Sequence, residues 1–304
     1  MKVSVVMTTY NGSRFLTQML ESLYCQTRKI DEVLIFDDRS TDETVEIVNK
    51  FIEVNKLNNW KVIVNEKNIG WEQNFVNALE GATGDIIFPC DQDDIWHKDK
   101  IQKMATAFEE NDDIWLLVSG YHAFSEYGGK MAIQNPVRTI SSGKISKIVF
   151  DEKYYQILRP GCTMAFRREL LVLFLKNWVS GTPHDAVLWT VAMLLNKNYL
   201  YNETFIEYRR HDNNASKKIS HGFKYKVNET LRTQKINNWY LNSEYYDKSK
   251  LKIIKKCNVW CEYRYKLLVE KKIIYWFRLF EYRKVYLTTK KYLGDLYYFL
   301  TGKI

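Results

Sequence analysis

The segment FPCDQDDIWHKDK, residues 88–100, places Asp91, Asp93 and Asp94 within four positions, directly after the apolar run DIIF. Like charges this close raise one another's pKa, so the cluster is costly unless solvent, a metal ion or a cationic partner balances it. A calcium loop of the EF-hand type is excluded. Counted from Asp91, its sixth position would be Trp96 rather than Gly and its twelfth Gln102 rather than Glu. A short Asp-x-Asp at a strand tip suits a hard divalent cation, Mg²⁺ or Mn²⁺, which takes one or two carboxylates and completes its shell with water and diphosphate oxygens. The bland alternative is a solvated helix N-terminus, where the helix dipole favours acidic side chains.

Three further groups of residues could do chemistry. In FDDRSTDET, Asp38 could accept hydrogen bonds from a base N–H or a ribose hydroxyl, or it could, like Ser40, merely cap the next helix. Ser40 and Glu43 have the spacing of a capping box. In GTPHDAVLW, His184 and Asp185 precede an apolar helix, so Asp185 is either a cap or a general base that takes a proton from a hydroxyl nucleophile. In YRRHDNN, Arg209 and Arg210 could contact a diphosphate and His211 could complete a metal shell; the alternative is ordinary basic surface. Glycine-rich phosphate loops are absent, since TTYNGS stands where GxGxxG would follow the first strand. An ATPase and an ordinary NAD enzyme are therefore not supported.

The elements that must position these residues alternate. VSVVMTT (3–9), EVLIFDD (32–38), WKVIVNE (60–66) and GDIIFPC (84–90) read as strands. Between them, residues 13–26, with apolar positions Phe15, Leu16, Met19, Leu20 and Leu23, and residues 40–55 and 71–82 read as helices. Such alternation predicts a mostly parallel sheet flanked by helices, with ligands bound at the carboxyl ends of the strands. The polar clusters TTYNG, DDRST, NEKNIG and CDQDD stand at those ends, so four distant segments are expected to converge.

The chain has 304 residues, 46% of them apolar, and a net charge of +9. Residues 217–304 carry 21 Lys and Arg against 7 Asp and Glu, a net +14, leaving −5 for residues 1–216. Nucleic-acid binding is not expected, because the acidic first part would oppose it. Five cysteines without paired-doublet spacing suggest reduced thiols in a cytoplasmic protein. No apolar run approaches the length of a membrane span; LLVLFL at 170–175 stops at Lys176. From about residue 222 the pattern is helical, with aromatics among the lysines and arginines. That region reads either as helices lying on the inner face of the cell membrane or as a helical subdomain that packs its aromatics against the rest of the chain or a second copy.

Taken in order over residues 1–215, VSVVMTTYNGSRFLTQMLESLYCQT, DEVLIFDDRSTDET, NEKNIGWEQNFVNALEGATGDIIFPCDQDD and HDAVLW resemble family 2 glycosyltransferases. The resemblance implies an α/β GT-A fold (a Rossmann-like, mostly parallel sheet flanked by helices) over residues 1–216, followed by a C-terminal α-helical region, 217–304. It implies an inverting, metal-dependent enzyme with Mn²⁺ or Mg²⁺ as cofactor and a UDP- or dTDP-sugar as donor. By matching position, Thr8, Tyr10, Asn11, Asp38 and Asn68 line the nucleotide pocket, and Asp91 and Asp93 hold the diphosphate and metal. His211 takes a late position near that metal, and Asp185 is the catalytic base. The DQDDIW form is similar to rhamnosyltransferase-type members, which makes rhamnose a lead for the donor sugar. The implied acceptor is a glycan or a lipid-linked hydroxyl in bacterial surface polysaccharide synthesis. The alternative is a catalytically inactive sugar-nucleotide-binding or assembly subunit.

Overall fold

A computed structural model describes residues 1–125, 142–212, 214 and 222–301. The chain divides into two compact units: residues 1–148, 158–175 and 197–212 form the first, and residues 149–157, 176–196 and 213–304 the second. This is not the expected division at 216/217. Two internal segments, one of them carrying an apolar helix, cluster with the C-terminal helices rather than with the sheet that precedes and follows them in sequence.

The first unit begins as the alternation predicts: β1 (Val3–Thr9), α1 (Ser13–Tyr24), β2 (Glu32–Asp37), α2 (Thr44–Asn55), β3 (Trp60–Val64), α3 (Trp71–Gly81) and β4 (Ile86–Cys90). It continues with β5 (Ile95–Trp96), α4 (Lys100–Glu110), β6 (Leu116–Ser125), β7 (Ile145–Lys147), β8 (Met164–Arg167), α5 (Arg168–Asn177) and β9 (Asn198–Arg210). α1 buries the five apolar residues that its periodicity marked. Burying a side chain such as Leu20 or Phe88 contributes about 1.5–3 kcal/mol.

The nine strands form one mixed sheet in the order β3-β2-β1-β4-β8-β6-β9-β5, with β7 added on β9. β1 to β4 are mutually parallel, with Thr9 opposite Asp37, Asp37 opposite Val64 and Met7 opposite Cys90. Their carboxyl ends therefore stand side by side. β8 runs antiparallel to both β4 and β6, whereas β9 is parallel to β6 and antiparallel to the two-residue β5. The last pairing ties the stretch just after the acidic cluster to the end of β9.

α2 starts later than the capping-box spacing suggests. Ser40 donates its N–H and hydroxyl to the two Asp37 carboxylate oxygens at 2.7 and 2.6 Å, so it belongs to the β2 tip. The first turn of α2 is held instead by Asp42, which accepts the Thr44 N–H at 3.1 Å. The helix ends at Lys56 in the left-handed region, φ 54°.

The second unit contains α6 (His184–Leu194), α7 (Phe223–Leu241), α8 (Leu251–Leu268), α9 (Ile274–Leu279) and α10 (Thr289–Thr301). Its aromatics form a core of their own. The Tyr155 ring meets Trp260 at 5.3 Å, Trp260 meets Tyr286 at 5.3 Å, and Tyr286 meets Tyr292 at 5.6 Å. Several of its charges are buried as well. Arg264 binds Asp295 at 2.8 Å and Glu229 at 2.6 Å, Lys226 binds Asp295 at 2.5 Å, and the Tyr286 hydroxyl donates to Asp295 at 2.7 Å. Such a group is tolerated in a low-dielectric interior only because each member is paired. Among the described residues, no helix is long and apolar enough to cross a membrane.

Candidate functional site

The tips of β1 to β4 are fastened to one another through side chains. Thr9 Oγ1 donates to Asp37 Oδ2 at 2.7 Å. Gln92 accepts the Tyr10 N–H at 2.9 Å and returns its own amide to the Tyr10 carbonyl at 3.2 Å, which links the first tip to the fourth. Asn11 holds φ at 47°, a region that Asn tolerates better than most residues, while its N–H donates to Ser40 Oγ and its Oδ1 accepts the Thr41 N–H. Tyr10 is exposed and Thr8 half-buried.

Asp38 organises the third tip. Its Oδ1 accepts from Asn65 Nδ2 at 2.9 Å and the Ile69 N–H at 2.8 Å, and its Oδ2 accepts the Gly70 N–H at 2.9 Å. Asn68 donates to the Asp38 carbonyl at 3.1 Å. The carboxylate is thus committed to the 65–70 turn, with one of its four lone-pair sites left over. Gly70, at φ 89°, supplies the left-handed residue that starts α3.

The acidic cluster separates into two parts. Asp93 Oδ2 lies 2.7 Å from His211 Nε2, and both side chains retain slight exposure, 13% and 9%. Asp91 and Asp94 turn toward Cys162, the three offering ligand atoms within 4.8 Å of one another. Asp91 thus groups with Asp94 and Cys162, and Asp93 pairs with His211. Asp94 is fully buried; its Oδ1 accepts the Arg209 N–H at 3.0 Å, and its Oδ2 has no hydrogen-bond partner among the described residues. Burial, and then the neighbouring Asp93 and Asp91, push its pKa well up, and burial does the same to the Cys162 thiol.

A cation that the sequence did not advertise stands close by. Lys100, the first residue of α4, is buried, donates to the Cys162 carbonyl at 2.8 Å and sits 3.3 Å from the Trp96 ring centroid. Burial pulls its pKa down to about 7, against the attraction of Cys162, Cys90, Asp94 and Asp91. Part of the compensation that the carboxylates require is thus built in, though nothing in its local pattern separates Lys100 from the other 44 Lys and Arg residues.

Arg209 is not placed as a solvent-facing diphosphate clamp. It is buried, its guanidinium lies 4.6 Å from the Phe15 centroid and 4.7 Å from that of Phe124, and it donates to the Asp93 carbonyl at 2.9 Å and to Gln18 at 2.5 Å. Its role in the protein is to hold the acidic loop against β9. Arg210 is half-buried beside the Tyr208 ring at 5.1 Å. Asp185 lies in the first turn of α6, in the helical unit, half-buried after Pro183. Its neighbour His184 is buried, and burial lowers its pKa to about 3, so the imidazole is neutral.

The donor set fits a hard divalent cation. Asp93 and His211 offer one oxygen and one nitrogen side by side, Asp91 adds a half-buried carboxylate, and beneath them Asp94 Oδ2 has no hydrogen-bond partner among the described residues.

Comparison with known proteins follows the same lines. Residues 4–174 match the model of glycosyl transferase family 2. The dTDP-rhamnosyl transferase RfbG of Shigella flexneri is 29% identical over 247 residues, 77% of this chain and 80% of RfbG. The poly(ribitol-phosphate) β-N-acetylglucosaminyltransferase TarS of Staphylococcus aureus is 37% identical over 121 residues, 39% of this chain and 21% of TarS. The crystal structure of TarS 1–349 with UDP-GlcNAc has a TM-score of 0.66 at 21% identity, covering 88% of this chain and 73% of that one. The mannosyltransferase PcManGT from Pyrobaculum calidifontis, in complex with GDP-Man and Mn²⁺, has a TM-score of 0.51 at 16% identity, covering 86% of this chain and 69% of that one. The chain spans about half the length of several other curated relatives that it matches. The structural likenesses establish the GT-A fold. With more than half its residues matched by the family model, the chain belongs to glycosyltransferase family 2.

Proposed function

We propose that the chain transfers a sugar, with inversion, from a nucleotide diphosphate donor to a hydroxyl of a glycan or lipid-linked acceptor in bacterial surface polysaccharide synthesis. The observation that carries this reading is the Asp93–His211 pair at the end of β9, beside the linked tips of β1 to β4. Asp93, His211 and Asp91 are the residues to hold Mg²⁺ or Mn²⁺, which when bound supplies positive charge for the departing diphosphate. The rest falls to the chain's own residues. Thr8, Tyr10, Asn11 and Asn68 receive the nucleoside, with Asp38 fixing the turn that bears Asn68 and offering its remaining lone pair. Arg210 is the basic side chain left to meet the diphosphate, since Arg209 is held inside.

Asp185 takes the acceptor's proton as general base. Attack opposite the leaving group inverts the anomeric carbon in one displacement, and positioning of the two reactants supplies much of the acceleration. The likeness to RfbG supports a dTDP-rhamnosyl donor, and that to TarS, whose structure holds UDP-GlcNAc, supports an N-acetylglucosaminyl donor.

Calorimetry with UDP, dTDP and their sugar conjugates, with and without Mn²⁺, tests the donor. Asp185→Asn should lower turnover by about 10²- to 10⁴-fold and leave donor affinity unchanged. If no nucleotide binds under any condition, the transferase reading fails. If donor binds but the wild type turns over no acceptor from any glycan class, a sugar-nucleotide-binding subunit replaces it.

A further inference from the structure

Two segments of the helical unit carry the same unusual ridge. Ile273, Phe277 and Phe280 stand at positions i, i+4 and i+7, running from the residue that caps α9 through the helix to the turn that follows it, and Leu293, Tyr297 and Leu300 repeat that spacing on α10. This spacing lines side chains up on one helix face. All six are 39–70% exposed, and Ile274 beside the first ridge is 56% exposed. The opposite faces already pack inward through Leu279, Tyr292 and Asp295. The segments are joined where Tyr292 stacks on Trp276 at 5.0 Å and meets Phe280 at 6.4 Å. Exposed apolar side chains in such number are uncommon on a protein surface without a partner.

The charges around the ridges say what the partner is. Residues 271–291 hold seven basic side chains, Lys271, Lys272, Arg278, Arg283, Lys284, Lys290 and Lys291, against one acid, Glu281. Six of the seven are exposed. A second copy meeting this face through a twofold axis would bring like charges together. A nucleic acid would satisfy the cations but leave Phe277 and Leu300 against a polar backbone. Aromatic and aliphatic ridges rimmed by lysine and arginine match the boundary between acyl chains and anionic headgroups.

We propose that the ridges Ile273/Phe277/Phe280 and Leu293/Tyr297/Leu300 are a docking face for an anionic lipid surface. The proposal does not depend on the donor site.

The test uses the full chain, co-sedimented with vesicles of phosphatidylcholine alone or with about a third phosphatidylglycerol. Binding to the anionic vesicles is expected to be at least about tenfold stronger and to weaken as salt is raised. The pairs Phe277→Glu with Phe280→Glu, and Leu293→Glu with Leu300→Glu, should each reduce it about tenfold while melting and nucleotide binding stay as in the wild type. Lys284→Glu with Lys290→Glu, which touches no ridge residue, should do the same through charge alone. Three results would overturn the proposal: equal partition into neutral and anionic vesicles; undiminished binding by both ridge pairs, which would mean simple polyanion adsorption that an RNA duplex should compete for; or a wild-type dimer in light scattering that the ridge variants convert to monomer, which would make the face an interface between copies.

Discussion

The sheet unit and the helical unit both bury ionisable groups, but they resolve them differently. In the helical unit, Arg264, Lys226, Glu229 and Asp295 face one another and leave no carboxylate of that group without a cation. At the sheet edge, Asp93 pairs with His211, but the fully buried Asp94 lies beside Asp91 and Asp93 with one carboxylate oxygen that has no hydrogen-bond partner among the described residues. A closed network is a structural solution, whereas an open one carries a standing cost that a ligand can relieve. The same side-chain chemistry therefore reads as architecture in one place and as a binding site in the other.

The contrast can be broken by substitution. The largest expected effect is on turnover: Asp93→Ala should lower it by at least about 100-fold, by removing the partner of His211 from the site, with little change in melting temperature. Asp295→Asn should do the reverse, costing about 3–5 kcal/mol in chemical denaturation because Arg264 and Lys226 lose their common counter-charge. Equal effects of both variants on turnover and on stability would erase the distinction.

The smallest effect is a pH dependence. Burial pushes Glu229 up, but Arg264, Lys291 and Arg232 overcome it and hold its pKa at about 2, below the ordinary 4.5. A depressed carboxylate stabilises the fold fully above its unfolded pKa and loses that contribution as the pH falls toward its folded value. Melting temperature should therefore drop between about pH 4.5 and 2, and Glu229→Gln, already less stable at neutral pH, should flatten that slope.

Much of the sheet unit was legible. The strands and helices up to Cys90 follow from apolar periodicity, which is a local property, and the polar tips marked where they converge. What escaped the sequence depends on distant partners. Ser40 has the spacing of a cap, yet Asp37 claims it. Arg209 has the composition of a phosphate contact, but Phe15 and Phe124, remote in sequence, enclose it. Lys100 and Cys162 join the acidic cluster only through the packing of α4 and of the turn before β8. For the basic tail, surface helices and a subdomain that packs its aromatics were both open; the structure shows an aromatic and ionic core within it, and the ionic part was not legible because a buried Arg264 looks like any other arginine until its partners are known.

The interleaving of the two units bears on how the chain is made. α6 leaves the ribosome long before α7 to α10, yet every one of its residues except Asp185 is buried. Until the last hundred residues have been synthesised, those apolar side chains lack the helices they cluster with, while the sheet unit needs only residues up to 212. The sheet can therefore mature during translation with a sticky, unfinished excursion hanging from it. That excursion is where a chaperone would be needed, and where a chain cut short after β9 would begin to aggregate.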